Sequence, residues 1–307
     1  MALLGPSTSR PARTARALNP LALTLLWLAS GGCATGGDDA GGLDNLPSAG
    51  IVPVIAVEEP ILLGTEGTRL TRPWGISDGG DTIRLWVGVE EGEAASYIGM
   101  ALATRLDEIQ ISAHWLNQFR KEATAEWEGA GLTEPSVVRH AGLPVMAYVT
   151  SEGSLGVSRT SDPTGESGWD TADGPALVGA EDAPLSSPSL VSVDGELLLF
   201  VVRDGRLDVA GSADGVAFAW LQSDVLAGVD ADGEPLGAIT SASVVATRTP
   251  TGRVQFRAHF QDAVGIGFAG AFADRVFSRW VQNPIFKDSG FAPTFPMQVQ
   301  GLLLHSR

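Results

Sequence analysis

Residues 187–220 read SPSLVSVDGELLLFVVRDGRLDVAGSADGVAFAW, and this stretch decides the fold. It holds three short runs of apolar and β-branched residues, separated by the dipeptides Asp194-Gly195 and Asp204-Gly205, and it ends on a tryptophan. Runs of strand length bounded by Asp-Gly pairs are typical of antiparallel hairpins. The stretch therefore predicts a small antiparallel sheet of three or four strands.

The same pattern recurs along the chain, and each copy begins with a short strand that we call a head. The second residues of successive heads lie 62, 53, 54 and 51 positions apart. A unit of about 50 residues with a few strands cannot bury both faces alone, so several units pack around an axis. The repeat predicts an all-β fold, a five-bladed β-propeller. The heads are Arg72-Pro73-Trp74-Gly75-Ile76, Glu134-Pro135-Ser136-Val137-Val138, Ser187-Pro188-Ser189-Leu190-Val191, Ser241-Ala242-Ser243-Val244-Val245 and Ala292-Pro293-Thr294-Phe295.

The limits of the propeller are predicted from its short fifth unit, which has only residues 293–307. Either residues 51–70 complete this unit by closing the ring, or the chain is incomplete. We expect closure, because an open propeller leaves unpaired strand edges. The domain then covers residues 51–307. One stretch, Leu106 to Trp127, breaks the repeat, since its apolar residues are spaced irregularly among charged ones. That spacing indicates a short helix or a long surface loop.

Tryptophans and glycines recur at fixed places in the units. Three units close on Trp169, Trp220 and Trp280, and Trp127 is the candidate for that place in the first unit. We expect these rings to pack between blades rather than to serve as sugar platforms. The third strands carry glycines, which we expect to let neighbouring sheets approach closely.

The first 32 residues have the layout of an export signal. Three arginines precede the apolar run Leu21 to Leu28, which is followed by small residues and by Cys33, the single cysteine of the chain. The run is about half the roughly 20 residues that span a bilayer. This segment resembles a bacterial lipoprotein signal, in which the cysteine is diacylated before cleavage. The alternative is ordinary cleavage that leaves a free thiol at Cys33.

The lipoprotein resemblance implies that the protein is exported and anchored to a membrane through a lipid on Cys33. Because Ala34 rather than an aspartate follows the cysteine, it implies the outer membrane. Residues 33–50 are rich in glycine and acidic residues, which is typical of a flexible tether. The predicted parts are therefore a signal peptide (1–32), a tether (33–50) and a propeller (51–307).

The charge of the chain makes nucleic acid an unfavourable partner. The formal charge is −16, and removal of residues 1–32, which hold three arginines and no acidic residue, changes it to −19. Such a surface repels phosphate backbones. The four histidines are scattered and no second cysteine joins them, so we expect no metal site. We expect no cofactor either, because no phosphate loop or dinucleotide fingerprint is present.

The heads, followed by an apolar strand and by LGVSRTSD (155–162) or LDVAGSADG (207–215), resemble the arabinanase-like five-bladed propellers of glycoside hydrolase family 43 and its relatives. The resemblance covers residues 50–307. In that family the residue before the head proline lies at the mouth of an axial funnel. Three such residues supply a general base, an orienting acid and a general acid, and here these positions hold Arg72, Glu134 and Ser187.

Hydrolysis with inversion needs two carboxyl groups roughly 6.5–9.5 Å apart, one as acid and one as base. An arginine stays protonated and a serine cannot act as a general acid at neutral pH. Glu134 is thus the only candidate catalytic residue. It is either a residual catalytic or sugar-binding carboxylate, or a solvated acid at a strand start that is paired with a neighbour such as Arg72.

The resemblance and the missing acids together predict a lipid-anchored envelope protein with a non-catalytic, glycosidase-like propeller that binds a glycan or a protein. A divergent glycoside hydrolase that acts on a furanoside or xylan-type polysaccharide is the first alternative, and a structural envelope lipoprotein is the second. The candidate ligand-binding residues at the funnel are Arg72, Trp74, Glu134, Ser187 and Ser241.

Overall fold

The computed structural model describes residues 24–25, 55–56, 68–77, 82–92, 95–105, 111–179, 183–226, 237–249, 251–263, 265–272, 275, 277–279 and 286–287. These residues form β-strands and one 3-10 helix, Glu126–Glu128. The strands are β1 (Thr24–Leu25), β2 (Ile55–Ala56), β3 (Thr68–Ser77), β4 (Thr82–Glu91), β5 (Tyr97–Arg105), β6 (Ile111–Lys121), β7 (Leu132–His140), β8 (Leu143–Thr150), β9 (Leu155–Thr160), β10 (Trp169–Thr171), β11 (Ser186–Val193), β12 (Glu196–Arg203), β13 (Arg206–Ser212), β14 (Ala219–Gln222), β15 (Ser241–Arg248), β16 (Val254–Gln261), β17 (Gly265–Ala271), β18 (Ser278–Arg279) and β19 (Phe286–Lys287).

Four antiparallel sheets of consecutive strands make up the body of the domain, and we call them blades 1 to 4. They comprise β3 to β6, β7 to β10, β11 to β14, and β15 to β18, with β19 added beside β17. The first strands of the blades pack on one another in the order β3, β7, β11, β15. Sheets whose innermost strands meet in this way form a propeller. The all-β propeller is confirmed for these four blades, and the fifth head lies outside the described residues.

The predicted closing segment, residues 51–70, is only partly described. Thr68, Arg69 and Leu70 pair with β4, so they belong to the first strand of blade 1. Ile55–Ala56 pairs with Thr24–Leu25. A closing role is therefore open only to residues before Thr68, and the fifth blade stays a prediction.

The segment that was expected to form a short helix or a surface loop contains a strand instead. β6 pairs with β5 from Ile111 to Lys121, so this prediction was wrong for those residues. A bulge explains the error. Trp115 pairs with Ala101 and Arg120 pairs with Gly99, so the four residues between them on β6 lie opposite a single residue of β5. The extra residues break the two-residue alternation by which a strand is recognised.

The core lies between the blades, because alternate residues of each second strand face the two neighbouring sheets. In β8, Met146 and Tyr148 are buried against blade 1, whereas Val145 and Ala147 are buried against blade 3. The interface of blades 3 and 4 is aromatic. The ring of Phe200 there lies 5.7 Å from that of Phe256 and 5.9 Å from that of Phe277, between ring centroids.

The closing tryptophans differ from one blade to the next. Trp169 and Trp127 pack against the core between blades 1 and 2, as expected. Trp220 does not, since it lies on the outer strand β14 with 38% of its surface exposed. In blade 1 the place of Trp220 is taken by Trp115, because each pairs with an alanine of the third strand. Trp280 lies outside the described residues.

The third-strand glycines make room within a blade rather than between blades. Gly156 pairs with Tyr148, and Gly267 pairs with Phe260. A Cβ at either glycine would overlap the paired ring. The expectation about neighbouring sheets is thus corrected.

Within the described part of the chain, no helix is long and apolar enough to cross a membrane.

Candidate functional site at the propeller axis

The first three heads share an unusual backbone conformation at the residue before the proline. Arg72, Glu134 and Ser187 have φ of 44°, 51° and 51°, a left-handed region that is uncommon for residues other than glycine. Strand pairing is interrupted at the same point in each head. Proline cannot donate to the ladder, so the strand bulges there. Successive blades thereby present equivalent side chains at the axis.

These three side chains meet, and we call the group the axial clamp. Nη1 of Arg72 donates one hydrogen bond to Oε2 of Glu134 and another, of 2.9 Å, to Oγ of Ser187. The backbone N–H of Ser187 donates to the same Glu134 oxygen at 2.6 Å. One residue from each of blades 1, 2 and 3 is thus held in a single network.

The clamp is buried more deeply than a solvated strand-start acid would be. The side chains of Arg72 and Glu134 are 16% and 14% exposed. Burial raises the pKa of the Glu134 carboxyl above its ordinary value, while the charge of Arg72 and the N–H of Ser187 act in the opposite direction. The expected pairing of Glu134 with Arg72 is present, but the expected solvation is not.

The clamp has only one carboxyl group, and that group is bonded to both other members of the clamp. Oε2 of Glu134 already accepts two hydrogen bonds. Its partners are a guanidinium, which stays protonated, and a serine, which cannot act as a general acid at neutral pH. Inverting hydrolysis requires a second carboxyl across the site. The contacts at these three positions join blades 1, 2 and 3.

Ser241 is not part of the clamp. The fourth head has alanine where the others have proline, and β15 pairs with β16 without interruption from Ser241 onward. The bulge does not form, so the side chain stays within its own blade. Its hydroxyl lies 3.4 Å from Oε1 of Gln261 on β16. The expectation that Ser241 lines the site with the other heads is corrected on this ground.

Trp74 also lies elsewhere than expected. It is 8% exposed and packs between blades 1 and 2, in contact with the cluster that contains Trp86. Its indole N–H donates to the carbonyl oxygen of Val137 at 2.7 Å. The residue after the head proline faces the next blade rather than the axis, because the bulge at Arg72-Pro73 breaks the alternation that would put residues 72 and 74 on the same side.

This position forms a tie to the next blade in each described interface. Oγ of Ser136 accepts the N–H of Leu190 at 2.8 Å, and Oγ of Ser189 accepts the N–H of Val244 at 3.0 Å. Trp74 makes the equivalent link by donating to Val137. These ties were not predicted from the sequence, although the repeated Pro-Ser of two heads was a signal for them.

A second polar group that sequence analysis missed lies between blades 1 and 2. The carboxylate of Glu128 is fully buried, accepts the hydroxyl of Tyr148 at 2.6 Å, and lies 3.6 Å from Nζ of Lys121. Nζ of Lys121 also donates to Thr171 at 2.9 Å. Burial lowers the pKa of Lys121 and raises that of Tyr148. Burial also acts to raise the pKa of Glu128, but its hydrogen bonds lower it on balance.

The acids in turns have structural roles. Asp214 accepts the N–H groups of Val216 and Ala217 at 2.8 and 3.1 Å, which fixes the loop before β14. Asp194 and Asp204 each precede a glycine, and both residues of each pair have positive φ, as a two-residue hairpin turn requires. Among the residues that the structure describes, no cluster of three or more His, Cys, Asp or Glu residues could hold a metal ion.

No protein-family model matches the chain, and no curated protein matches it in sequence. Solved structures do match. One described as a glycoside hydrolase superposes with a TM-score of 0.50 at 13% identity, over 70% of this chain and 74% of that one. A glycoside hydrolase of the GH130 family, which targets β-1,2 mannosidic linkages in Candida mannan, gives 0.47 at 17% identity, over 71% of each chain.

A Trypanosoma rangeli sialidase gives a TM-score of 0.46 at 14% identity, over 69% of this chain but only 39% of its own length. At such identities a structural likeness shows the fold alone. The chain therefore has a glycosidase-like propeller fold.

Proposed function

We propose that this chain is a non-catalytic, glycosidase-like propeller of the cell envelope that binds a glycan. The observation that carries the proposal is the axial clamp. Arg72 and Ser187 stand where the resembling hydrolases have two of their acids, and the one carboxylate, Glu134, is bound to both. A divergent hydrolase would need two other carboxyl groups that face each other, with a space for sugar between them.

An exposed aromatic ring supports glycan binding. Trp220 is 38% exposed, and the guanidinium of Arg203 lies 4.5 Å from its ring centroid. Arg203 is held in turn by the buried carboxylate of Asp208 at 2.6 Å. A partly exposed ring with a cation against one face offers a flat apolar surface beside polar groups, which suits the face of a sugar.

The membrane anchor and the number of propeller blades complete the proposal. A lipid on Cys33 would hold the domain at a membrane, through the tether of residues 33–50, and the outer membrane is the expected location. The propeller would be a ring of five blades over residues 51–307, in which the fifth head begins the last blade. The five heads, whose second residues are 51 to 62 positions apart, support this number of blades.

The test of binding is a glycan array probed with the mature chain, from residue 33 onward, carrying Cys33→Ser so that it is free of lipid. We expect binding to a discrete set of glycans. Trp220→Ala should lose it, whereas Leu221→Ala should keep it, since Leu221 is also exposed on β14 but lacks a ring. Absence of any bound glycan would contradict the proposal. If the array shows no binding and a pull-down with the same chain captures a protein, the ligand is a protein.

The test of the anchor is mass spectrometry of the mature N-terminus from cells that make the full chain. A diacylated Cys33 as the first residue is expected. An unmodified Cys33, or cleavage at another position, would remove the anchor from the proposal while leaving the binding experiment unaffected.

A further inference from the structure

Blade 4 has a buried polar face on the side away from blade 3. Ala242 and Val244 of β15 face blade 3, so Ser243 between them faces the opposite way. His259 pairs with Ser243 across the strands, and it faces the same side. Ser243 is 1% exposed and His259 is 2% exposed. Neither Oγ of Ser243 nor Nδ1 of His259 has a hydrogen-bond partner in the described part of the chain.

An unpartnered hydroxyl here departs from the pattern of the preceding blades. Ser136 and Ser189 occupy the same position in blades 2 and 3, and each accepts an N–H from the first strand of the next blade. Buried hydroxyls are almost always hydrogen-bonded. Ser243 is thus an acceptor that lacks the donor its two counterparts have.

Counting positions from the second residue of each head identifies the missing donor. In each described tie the acceptor serine is one residue after the second residue of its head, and the donor is two residues after the second residue of the following head. Applied to the fourth and fifth heads, this rule assigns the acceptor to Ser243 and the donor to the N–H of Phe295. Phe295 lies outside the described residues.

We propose that the face of blade 4 around Ser243 and His259 is the docking surface for the fifth head, Ala292-Pro293-Thr294-Phe295, with the N–H of Phe295 bound to Oγ of Ser243. The inference rests on the five-bladed part of the proposed function and is independent of any ligand. It states which strand covers blade 4 and in which register.

Disulfide trapping tests the register directly, because two cysteines link only when their Cα atoms lie about 4.4–6.8 Å apart. The full chain is used with Cys33→Ser, so that no other thiol competes. The test pair is Ser243→Cys with Phe295→Cys. The positive control is Ser189→Cys with Val244→Cys, at a tie that the structure contains. The negative control, Ser136→Cys with Phe295→Cys, joins blades that are not neighbours in a five-membered ring.

After oxidation, tryptic peptides are analysed by mass spectrometry. We expect an intramolecular link in the test pair and the positive control, and none in the negative control. A link in the positive control alone, in a test variant with an unchanged circular dichroism spectrum, would overturn the inference. A test link found only between two chains would also overturn it, because a second copy would then cover the face.

The single change Ser243→Ala provides a second measurement that does not depend on the cysteine variants folding. If Phe295 donates to Ser243, the alanine leaves a buried N–H without an acceptor, so the melting temperature falls, as it should in Ser189→Ala. If Ser243 has no donor, the alanine removes an unsatisfied hydroxyl, so the melting temperature stays constant or rises. The sign of the change therefore decides between the two cases.

Discussion

The side chains of Arg72 and Glu134, which stand 62 positions apart in the sequence and belong to different blades, form an ion pair that is also bonded to Ser187 of a third blade. The resemblance to glycoside hydrolase family 43 implies that these two positions would carry acids of the catalytic site. Burial of the pair makes it a structural link, because a buried charge is stable only when it is paired and hydrogen-bonded. The same arrangement leaves these positions without two free carboxyl groups.

Removal of one partner of this pair should destabilise the domain strongly. We expect Arg72→Ala to lower the free energy of unfolding by about 3 kcal/mol, since Glu134 is left buried without its cation. Arg69→Ala is the matched control, because Arg69 pairs with Glu90 at 3.3 Å with 63% of its side chain exposed. That pair is worth less than about 1 kcal/mol. Equal losses in urea unfolding of the two variants would contradict the structural role of the clamp.

The hydroxyl of Tyr148 should matter more than that of Tyr97. Each hydroxyl donates to a glutamate, at 2.6 Å to the fully buried Glu128 and at 2.9 Å to Glu91 nearer the surface. We expect Tyr148→Phe to lower the free energy of unfolding by about 2 kcal/mol and Tyr97→Phe by less than about 1 kcal/mol. Chemical denaturation at pH 7 measures both. A smaller loss for Tyr148→Phe than for Tyr97→Phe would argue against the buried network.

Burial of His259 should make stability depend on pH. Desolvation, aided by the charge of Arg257, lowers the pKa of His259 from 6.5 to about 4. The unfolded chain then binds a proton at His259 more readily than the folded chain does. The contribution of neutral His259 to the free energy of unfolding is therefore complete above pH 6.5 and is lost as pH falls toward 4. The loss amounts to ~3 kcal/mol.

His259→Gln, which cannot be protonated, isolates this effect. Denaturant unfolding of both proteins from pH 7.5 to 4 should show the wild type losing more stability than the variant across that window. Parallel curves for the two proteins would mean that His259 takes up its proton equally in the folded and unfolded states.

A methyl group at Gly156 should be costly. Its Cβ would overlap the ring of Tyr148, which fills the space above the glycine. We expect Gly156→Ala to destabilise the domain by about 2 kcal/mol through overpacking. Gly174→Ala is the control, because a Cβ there meets no atom within 4 Å. Melting temperatures that fall equally in both variants would show that the ring moves aside at no cost.

The repeat of the heads was sufficient to predict the blades, because Asp-Gly turns and Pro-Ser strand starts depend on local backbone preferences. The pairing of Arg72 with Glu134 was also foreseeable, since equivalent residues of a propeller meet at its axis. The strand β6 was not, because its bulge hides the alternation. Trp74 was misassigned for a related reason, since the direction of its side chain depends on the bulge that precedes it. Trp220 was misassigned because it lies on the outer strand of its blade, where 38% of its surface stays exposed.

The buried Glu128 and the ties of Ser136 and Ser189 arise from contacts between blades. Nothing in the local sequence marks Glu128 as buried, since a glutamate side chain is usually solvated. Such contacts depend on how two sheets are packed, and sequence periodicity reports only which residues share a face.

The release of reducing ends from arabinan, xylan and fructan by the mature chain tests the central claim most directly. We expect no release by the wild type above that of a heat-denatured sample, and the same result for Glu134→Gln, because Glu134 is bound to Arg72 and Ser187 and faces no second acid in the clamp. Release by the wild type that is abolished in a folded Glu134→Gln variant would contradict the account and make this propeller a hydrolase.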